Sequence, residues 1–158
     1  MLIRTLALIA VIATPALSQQ AQVGFGGGNH DRSAPVEVAA DNLEVDQSTG
    51  RATLTGNVVI AQDDLRLSAA RVVVDYAVVN GDRRIDRVNA TGDVLIVAGE
   101  DAAEGQSAVY VLGTSEILLT GDVVVSQAGS TLAGDRLAVN LQSGAGTVTG
   151  RVRTTLQP

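Results

Sequence analysis

Leu54–Ile60, with the sequence Leu-Thr-Gly-Asn-Val-Val-Ile, decides the fold, because its Thr-Gly-x-Val core returns three more times along the chain. The later copies begin at Thr91, Thr120 and Thr149, at steps of 36, 29 and 29 residues. Apolar residues alternate with polar ones around each copy, which is typical of a half-buried β-strand. A fixed long period indicates one supersecondary unit that is copied. The glycine in each strand predicts a bend or the close approach of another segment.

A second strand follows the Thr-Gly-x-Val strand, and partway along this second strand the apolar residues switch between odd and even positions. The apolar residues step by five positions, an odd number, from Leu67 to Val72 and again from Leu132 to Leu137. Because a slip of one residue turns every side chain to the other face, a β-bulge or corner must restore the inward face. We therefore predict an all-β fold, an open β-jelly roll of repeated antiparallel strand pairs; an open β-solenoid fits the same pattern.

The composition excludes several classes of function. The chain has 158 residues and a net charge of −6, and all eleven basic residues are arginine, so no basic groove is available for nucleic acid. Cysteine is absent, which excludes disulfides and cysteine–metal sites. The three aromatic residues, Phe25, Tyr76 and Tyr110, are too few for a stacking platform. The core must be built from Val, Leu, Ile and Ala.

Residues 1–18 have the pattern of a cleaved secretory signal peptide. Arg4 supplies the positive charge, Leu6–Ala13 the apolar run, and Ala16–Ser18 a small-x-small cleavage site. An uncleaved membrane anchor is the alternative, but the apolar run is shorter than the roughly 20 residues that a spanning helix needs. In a bacterium, this signal predicts export to the periplasm or beyond.

Residues 19–34 are rich in Gln and Gly and show no periodicity, which predicts a flexible lead-in before a β-jelly-roll domain over residues 35–158. His30, the single histidine, lies in this segment. It could bind a metal with Asp31, but we expect a solvated polar residue.

Catalytic chemistry is poorly supported by the sequence. Without Cys or Lys, and with His30 in the lead-in, only carboxylates remain as strong bases. We expect them on the outer surface, with no catalytic residue, no metal site and no cofactor; calcium binding by Asp63 and Asp64 or at Gly81–Asp82 lacks regularly spaced ligands. The candidates for a glycosidase-like pair are Asp41, Asp63, Asp64, Asp93, Asp122 and Asp135.

Three runs carry a resemblance to a known family: Pro35–Asp46 (PVEVAADNLEVD), Gly50–Gln62 (GRATLTGNVVIAQ) and Leu67–Val72 (LSAARV). Together they resemble the N-terminal domain shared by bacterial lipopolysaccharide-transport proteins of the organic-solvent-tolerance A type. The signal peptide and single-domain length are similar to those of the small periplasmic member. Ala70 departs from the family motif, which has Asp at this position.

The resemblance implies a non-enzymatic lipid carrier in the periplasm. It implies as partners lipopolysaccharide, through its lipid A acyl chains, and the inner-membrane and outer-membrane components of lipopolysaccharide transport. A structural β-solenoid that polymerises through its edges without lipid is the alternative. From the parity of the strands, we expect ten residues to line an apolar, lipid-binding interior: Val58, Ile60, Val72, Val74, Val94, Ile96, Val123, Val125, Leu137 and Val139.

The first and last strands predict self-association. Neither the strands of Val36–Val45 nor the strand of Thr147–Leu156 has a sequence neighbour beyond it, so each exposes a backbone edge. We expect these edges, carried by Val36, Val38, Val148 and Val152, to join copies head to tail.

Overall fold

The computed structural model describes residues 19–157, and the signal-peptide prediction for residues 1–18 falls outside them. The described residues form one antiparallel sheet with the order β1-β10-β9-β8-β7-β6-β5-β4-β2, in which β3 also pairs with β4 and β11 also pairs with β9. The strands are β1 Gln20–Gly24, β2 Val36–Ala39, β3 Asn42–Asp46, β4 Arg51–Gln62, β5 Leu65–Val79, β6 Asp82–Ala98, β7 Asp101–Val111, β8 Glu116–Gln127, β9 Ser130–Asn140, β10 Ala145–Thr149 and β11 Arg153–Thr155.

Each Thr-Gly-x-Val copy forms a corner that folds the sheet. In the first copy Gly56 and Asn57 have φ of 79° and 46°, and Gly92 and Asp93 in the second have 83° and 47°. The register shifts there: the Gly56–Asn57 pair stands opposite the single residue Ala70 of β5. Two residues against one is a β-bulge, which explains the parity change and confirms the predicted corner.

The corners also bring neighbouring strands into close contact, as the glycines predict. A Cβ on Gly56 would clash with Asp41 Oδ2, and one on Gly92 would lie 2.8 Å from the Ala70 Cβ. Because every long strand bends along this line, the sheet folds back on itself into two layers. The inward side chains of both layers form one apolar core.

We define three features of this folded sheet. The mouth is its open side, opposite the corners. The first rim of the mouth consists of the turns at 63–64, 99–100 and 128–129, and the second rim consists of those at 112–115 and 141–144. The strap is the segment Phe25–Ala34, which runs along the mouth from β1, beside β10, to β2, beside β4.

The prediction of a flexible lead-in over residues 19–34 is wrong for most of this segment. β1 pairs with β10 in the register Gln20↔Thr149 to Gly24↔Ala145. Phe25 is 2% exposed and belongs to the core. Residues 25–34 lack periodicity because they cross the mouth instead of following a sheet face, whereas β1 follows the sheet but alternates over only five residues. The fold therefore begins before residue 35.

The predicted terminal strand is wrong in extent and in exposure. Residues 147–156 are divided between β10 and β11 by a fourth corner, where Gly150 and Arg151 have φ of 80° and 42°. β1 covers the outer edge of β10, so Val148 is 0% exposed and is not an edge residue. Val152 lies in the bend between the two strands. Among residues 19–157, no helix is long and apolar enough to cross a membrane.

Candidate functional site

The apolar interior between the two layers is the candidate site. All ten residues expected to line it are buried, from 0% exposure at Val72 to 8% at Ile60. They come from both arms of the bent strands, so the repeat brings side chains from β4, β5, β6, β8 and β9 into one core. The predicted inward face is therefore correct for each of the ten residues.

The interior is closed in this structure. An apolar cavity of about 20 Å³, room for about one water molecule, lies between the layers near β2. Val36, Ile60, Leu67, Val88 and Tyr110 are among its lining residues. The interior is therefore apolar and almost completely filled by side chains, so it would have to widen to hold a ligand larger than a water molecule.

The strap closes the mouth by contacting both rims in turn. The Phe25 amide donates to the Gly144 carbonyl at 2.8 Å on the second rim, and the Gly26 amide donates to Asp101 Oδ2 at 2.9 Å beside the first. A Cβ on Gly28 would lie 2.8 Å from the Ser143 carbonyl oxygen, so only glycine fits against that turn.

The second half of the strap repeats this alternation. The Asp31 amide donates to Asp63 Oδ2 at 2.9 Å on the first rim, and Arg32 Nη1 donates to the Gly113 carbonyl at 2.7 Å on the second. The Gln62 side-chain amide donates to the carbonyl oxygens of Arg32 and Ala34, at 3.0 Å each. The strap is therefore fastened to both layers along its whole length.

His30 anchors the strap from inside, so its prediction as a solvated residue is wrong. Its side chain is 2% exposed. Nε2 lies 3.3 Å from both Gln62 Oε1 and Tyr110 Oη, and Nδ1 lies 3.4 Å from Asp64 Oδ1. Burial raises the pKa of Tyr110 from 10.0 to about 12. The sequence argument missed Phe25, His30, Gln62 and Tyr110 as interior residues; a lone Phe beside a glycine run was the one available signal.

The candidate carboxylates lie at the surface, apart from the interior. Five of the six, Asp41, Asp63, Asp64, Asp93 and Asp122, are exposed, and Asp135 is partly buried at its corner. Asp41 and Asp135 pair with the neighbouring corner residues Asn57 and Arg151, and the guanidinium of Arg151 lowers the pKa of Asp135. His30, Asp63 and Asp64 each place one potential metal-ligand atom within 4.8 Å of the other two. All three residues, however, already take part in hydrogen bonds that hold the strap to the first rim.

The outer edges differ at the two ends of the sheet. Val38, Leu43 and Val45, on β2 and β3, are 47%, 63% and 52% exposed, whereas Val36 is half-buried. At the other end β1 and β11 are outermost, with Arg151 and Arg153 exposed beside them.

Comparison with known proteins agrees with this architecture. The profile of the family described as "LptA/(LptD N-terminal domain) LPS transport protein" matches residues 37–145. An uncharacterised protein of Rhizobium meliloti is 29% identical over 158 residues, covering 94% of this chain and 85% of that protein. The lipopolysaccharide export system protein LptH of Pseudomonas aeruginosa is 28% identical over 138 residues, covering 81% of this chain and 77% of LptH. The lipopolysaccharide export system protein LptA of Escherichia coli K12 is 25% identical over 113 residues, covering 68% of this chain and 60% of LptA.

The crystal structure of LptH, described as the periplasmic LptA homologue of the Pseudomonas aeruginosa lipopolysaccharide transport device, shows the same fold. It matches with a TM-score of 0.73 over 82% of this chain and 99% of that one, at 22% identity. This likeness confirms the predicted open β-jelly roll. Because the family profile covers well over half of the sequence, the chain belongs to the LptA/LptD N-terminal-domain family of lipopolysaccharide transport proteins.

Proposed function

We propose that this protein is a non-enzymatic periplasmic carrier that moves lipopolysaccharide from the inner to the outer membrane. Its folded sheet shields the acyl chains of lipid A from water, and copies join head to tail into a bridge. The observation that carries the proposal is the continuous apolar interior, which includes all ten predicted aliphatic side chains, in a chain of this transport family.

The interior supplies enough free energy for this task without polar recognition groups. Removing a methylene from water is worth about 0.8 kcal/mol, so shielding a chain of about 12 carbons is worth about 10 kcal/mol before ordering costs. Since the layers are joined covalently only at the corners and through the strap, they can separate at the mouth and admit a chain when the strap yields. The same strands would then line the widened interior.

The two ends of the sheet support head-to-tail contact. The β2–β3 edge exposes apolar residues and carries the acidic residues Glu37, Glu44 and Asp46, all exposed. The opposite end carries Arg153, exposed on β11, and Arg151, whose guanidinium is paired with Asp135. An acidic edge that faces Arg153 favours pairing between copies in one direction. Such a heterologous contact does not close on itself, so it builds a filament that reaches between membranes.

Site-specific photo-crosslinking tests lipid binding. A benzophenone amino acid at Tyr76, which points inward from β5 and is already aromatic, is expected to crosslink lipopolysaccharide in living cells. The matched control is Arg66, exposed on the same strand, which is expected to crosslink no lipid.

Two outcomes contradict this proposal. If Tyr76 and Arg66 crosslink lipid equally, the interior is not the binding site. If neither does, while the protein sediments as filaments, the structural β-solenoid without lipid cargo replaces the carrier. The same photo-crosslinking amino acid, placed on β2–β3 and on β11, tests the proposed protein partners. It is expected to capture the inner-membrane and outer-membrane transport components.

A further inference from the structure

We propose that the strap is a removable lid: Phe25 leaves the interior, the mouth opens between the rims, and acyl chains enter sideways. This inference rests on the proposed lipid-carrier function and adds the route by which lipid reaches the interior. It assigns a role to residues 25–34, a segment that precedes the matched family profile at residues 37–145.

The strap is the main connection across the mouth. Within residues 19–157, hydrogen bonds between the two rims run through the strap or the end of β1, apart from a 3.4 Å bond from Tyr110 Oη to Gln62 Oε1. On the opposite side the layers are continuous through the corners. Releasing the strap therefore opens the interior along one side, while every long strand keeps its neighbours.

The chemistry of the strap suits a part that detaches. Phe25, the single phenylalanine, inserts a 2%-exposed ring into the core and so occupies space that an acyl chain would take. Gly26, Gly27 and Gly28 follow it with φ of 70°, 66° and 72°. A run of glycines has no side chains to pack, and segments with few apolar contacts open at low free-energy cost.

The other half of the strap fits the role of a hinge. His30 is held by Gln62, Asp64 and Tyr110, and residues 31–35 lead from it into β2. Polar side-chain contacts concentrate at this end, whereas Phe25, which directly follows β1, depends on one buried ring and on backbone contacts. The Phe25 end is therefore expected to lift first.

A reversible disulfide lock tests the lid. A Cβ on Gly26 would lie 2.9 Å from the Ala98 Cβ, below the roughly 3.5–4.5 Å of a disulfide, so in Gly26→Cys with Ala98→Cys the strap must shift outward by about 0.6 Å before the bond fastens it to the first rim. The chain has no other cysteine. The control pair, Leu118→Cys with Ala138→Cys, joins opposite residues of β8 and β9 and leaves the strap free.

The probe is purified lipopolysaccharide, and bound lipid is counted by native mass spectrometry. We expect the locked pair to capture lipid when reduced and to lose capture when oxidised, and the control pair to capture lipid in both states. Phe25→Ala is expected to capture lipid faster than wild type. Equal capture by the oxidised and reduced Gly26–Ala98 pair would overturn the lid.

Hydrogen exchange of the lipid-free protein separates failure of the lid from failure of the carrier function. The amides of Phe25, Gly26 and Asp31 are expected to exchange at least about tenfold faster than those of β8, through local opening. If these amides exchange only with global unfolding, the strap is a fixed part of the fold and the lid is refuted. Fast exchange together with no lipid capture by wild type refutes the carrier and leaves the opening of the strap supported.

Discussion

Gly92→Ala tests the physical account of the corners, because two separable costs meet at this residue. Gly92 has a φ of 83°, where an L-residue with a Cβ costs about 1–2 kcal/mol. The new Cβ would also lie 2.8 Å from the Ala70 Cβ, and overpacking of this kind costs about 1–3 kcal/mol. We therefore expect the free energy of unfolding to fall by about 2–5 kcal/mol.

A double-mutant cycle with Ala70→Gly separates the two costs. Removing the Ala70 methyl relieves the contact but leaves the backbone strain, so the double variant is expected to recover about 1–3 kcal/mol relative to the sum of the single changes. Gly113→Ala is the matched control, since its φ is not positive and no atom lies within 4 Å of the new Cβ. It should change stability by less than about 0.5 kcal/mol.

Urea denaturation followed by far-UV circular dichroism measures these differences, because the midpoint shifts while the slope stays constant in a two-state transition. If Gly92→Ala is no more destabilising than Gly113→Ala, the corner does not need glycine. If the cycle shows no coupling between residues 70 and 92, backbone strain accounts for the whole loss of stability and the close contact contributes nothing.

Four further predictions concern the interior, the edges, alkaline pH and export. Val123→Arg buries a guanidinium without a partner and is expected to abolish lipid capture, whereas Asn57→Arg, on the outer face, is tolerated; native mass spectrometry with bound lipid decides. Leu43→Lys, on the exposed β3 edge, should weaken concentration-dependent sedimentation without lowering stability, and an unchanged sedimentation profile argues against this edge. The pKa of Tyr110 is about 12 in the folded protein, against an ordinary value of 10.0. The stabilisation that depends on its neutral form is therefore complete below pH 10 and is lost as the pH rises towards 12. In urea titrations over this pH range, the Tyr110→Phe variant should lose less stability than the wild type. The intact mass of the periplasmic protein should correspond to a start near Gln19, and recovery of the full-length chain in the membrane pellet would contradict cleavage.

The sequence predicts the strands, the corners and the inward face because these depend on local patterns. Period-two alternation assigns each side chain to a face, and four copies of one motif assign the same bend four times. The parity change between Leu67 and Val72 already required an extra residue on one strand, and the structure supplies it as Gly56 and Asn57 opposite Ala70. No long-range information was needed for these results.

The closure of the mouth and the covered edge were decided only by the tertiary structure. β1 meets β10 across the whole chain, with Gln22 and Thr147 in contact although 125 residues separate them. β1 alternates over only five residues and a glycine run follows it, so the local sequence gives too short a pattern to report this pairing. His30 looked like a solvated residue for the same reason, because its partners Gln62 and Tyr110 belong to distant strands. Local sequence records which face a residue takes within a sheet, but a segment that crosses between layers is placed by contacts that exist only after the sheet has folded.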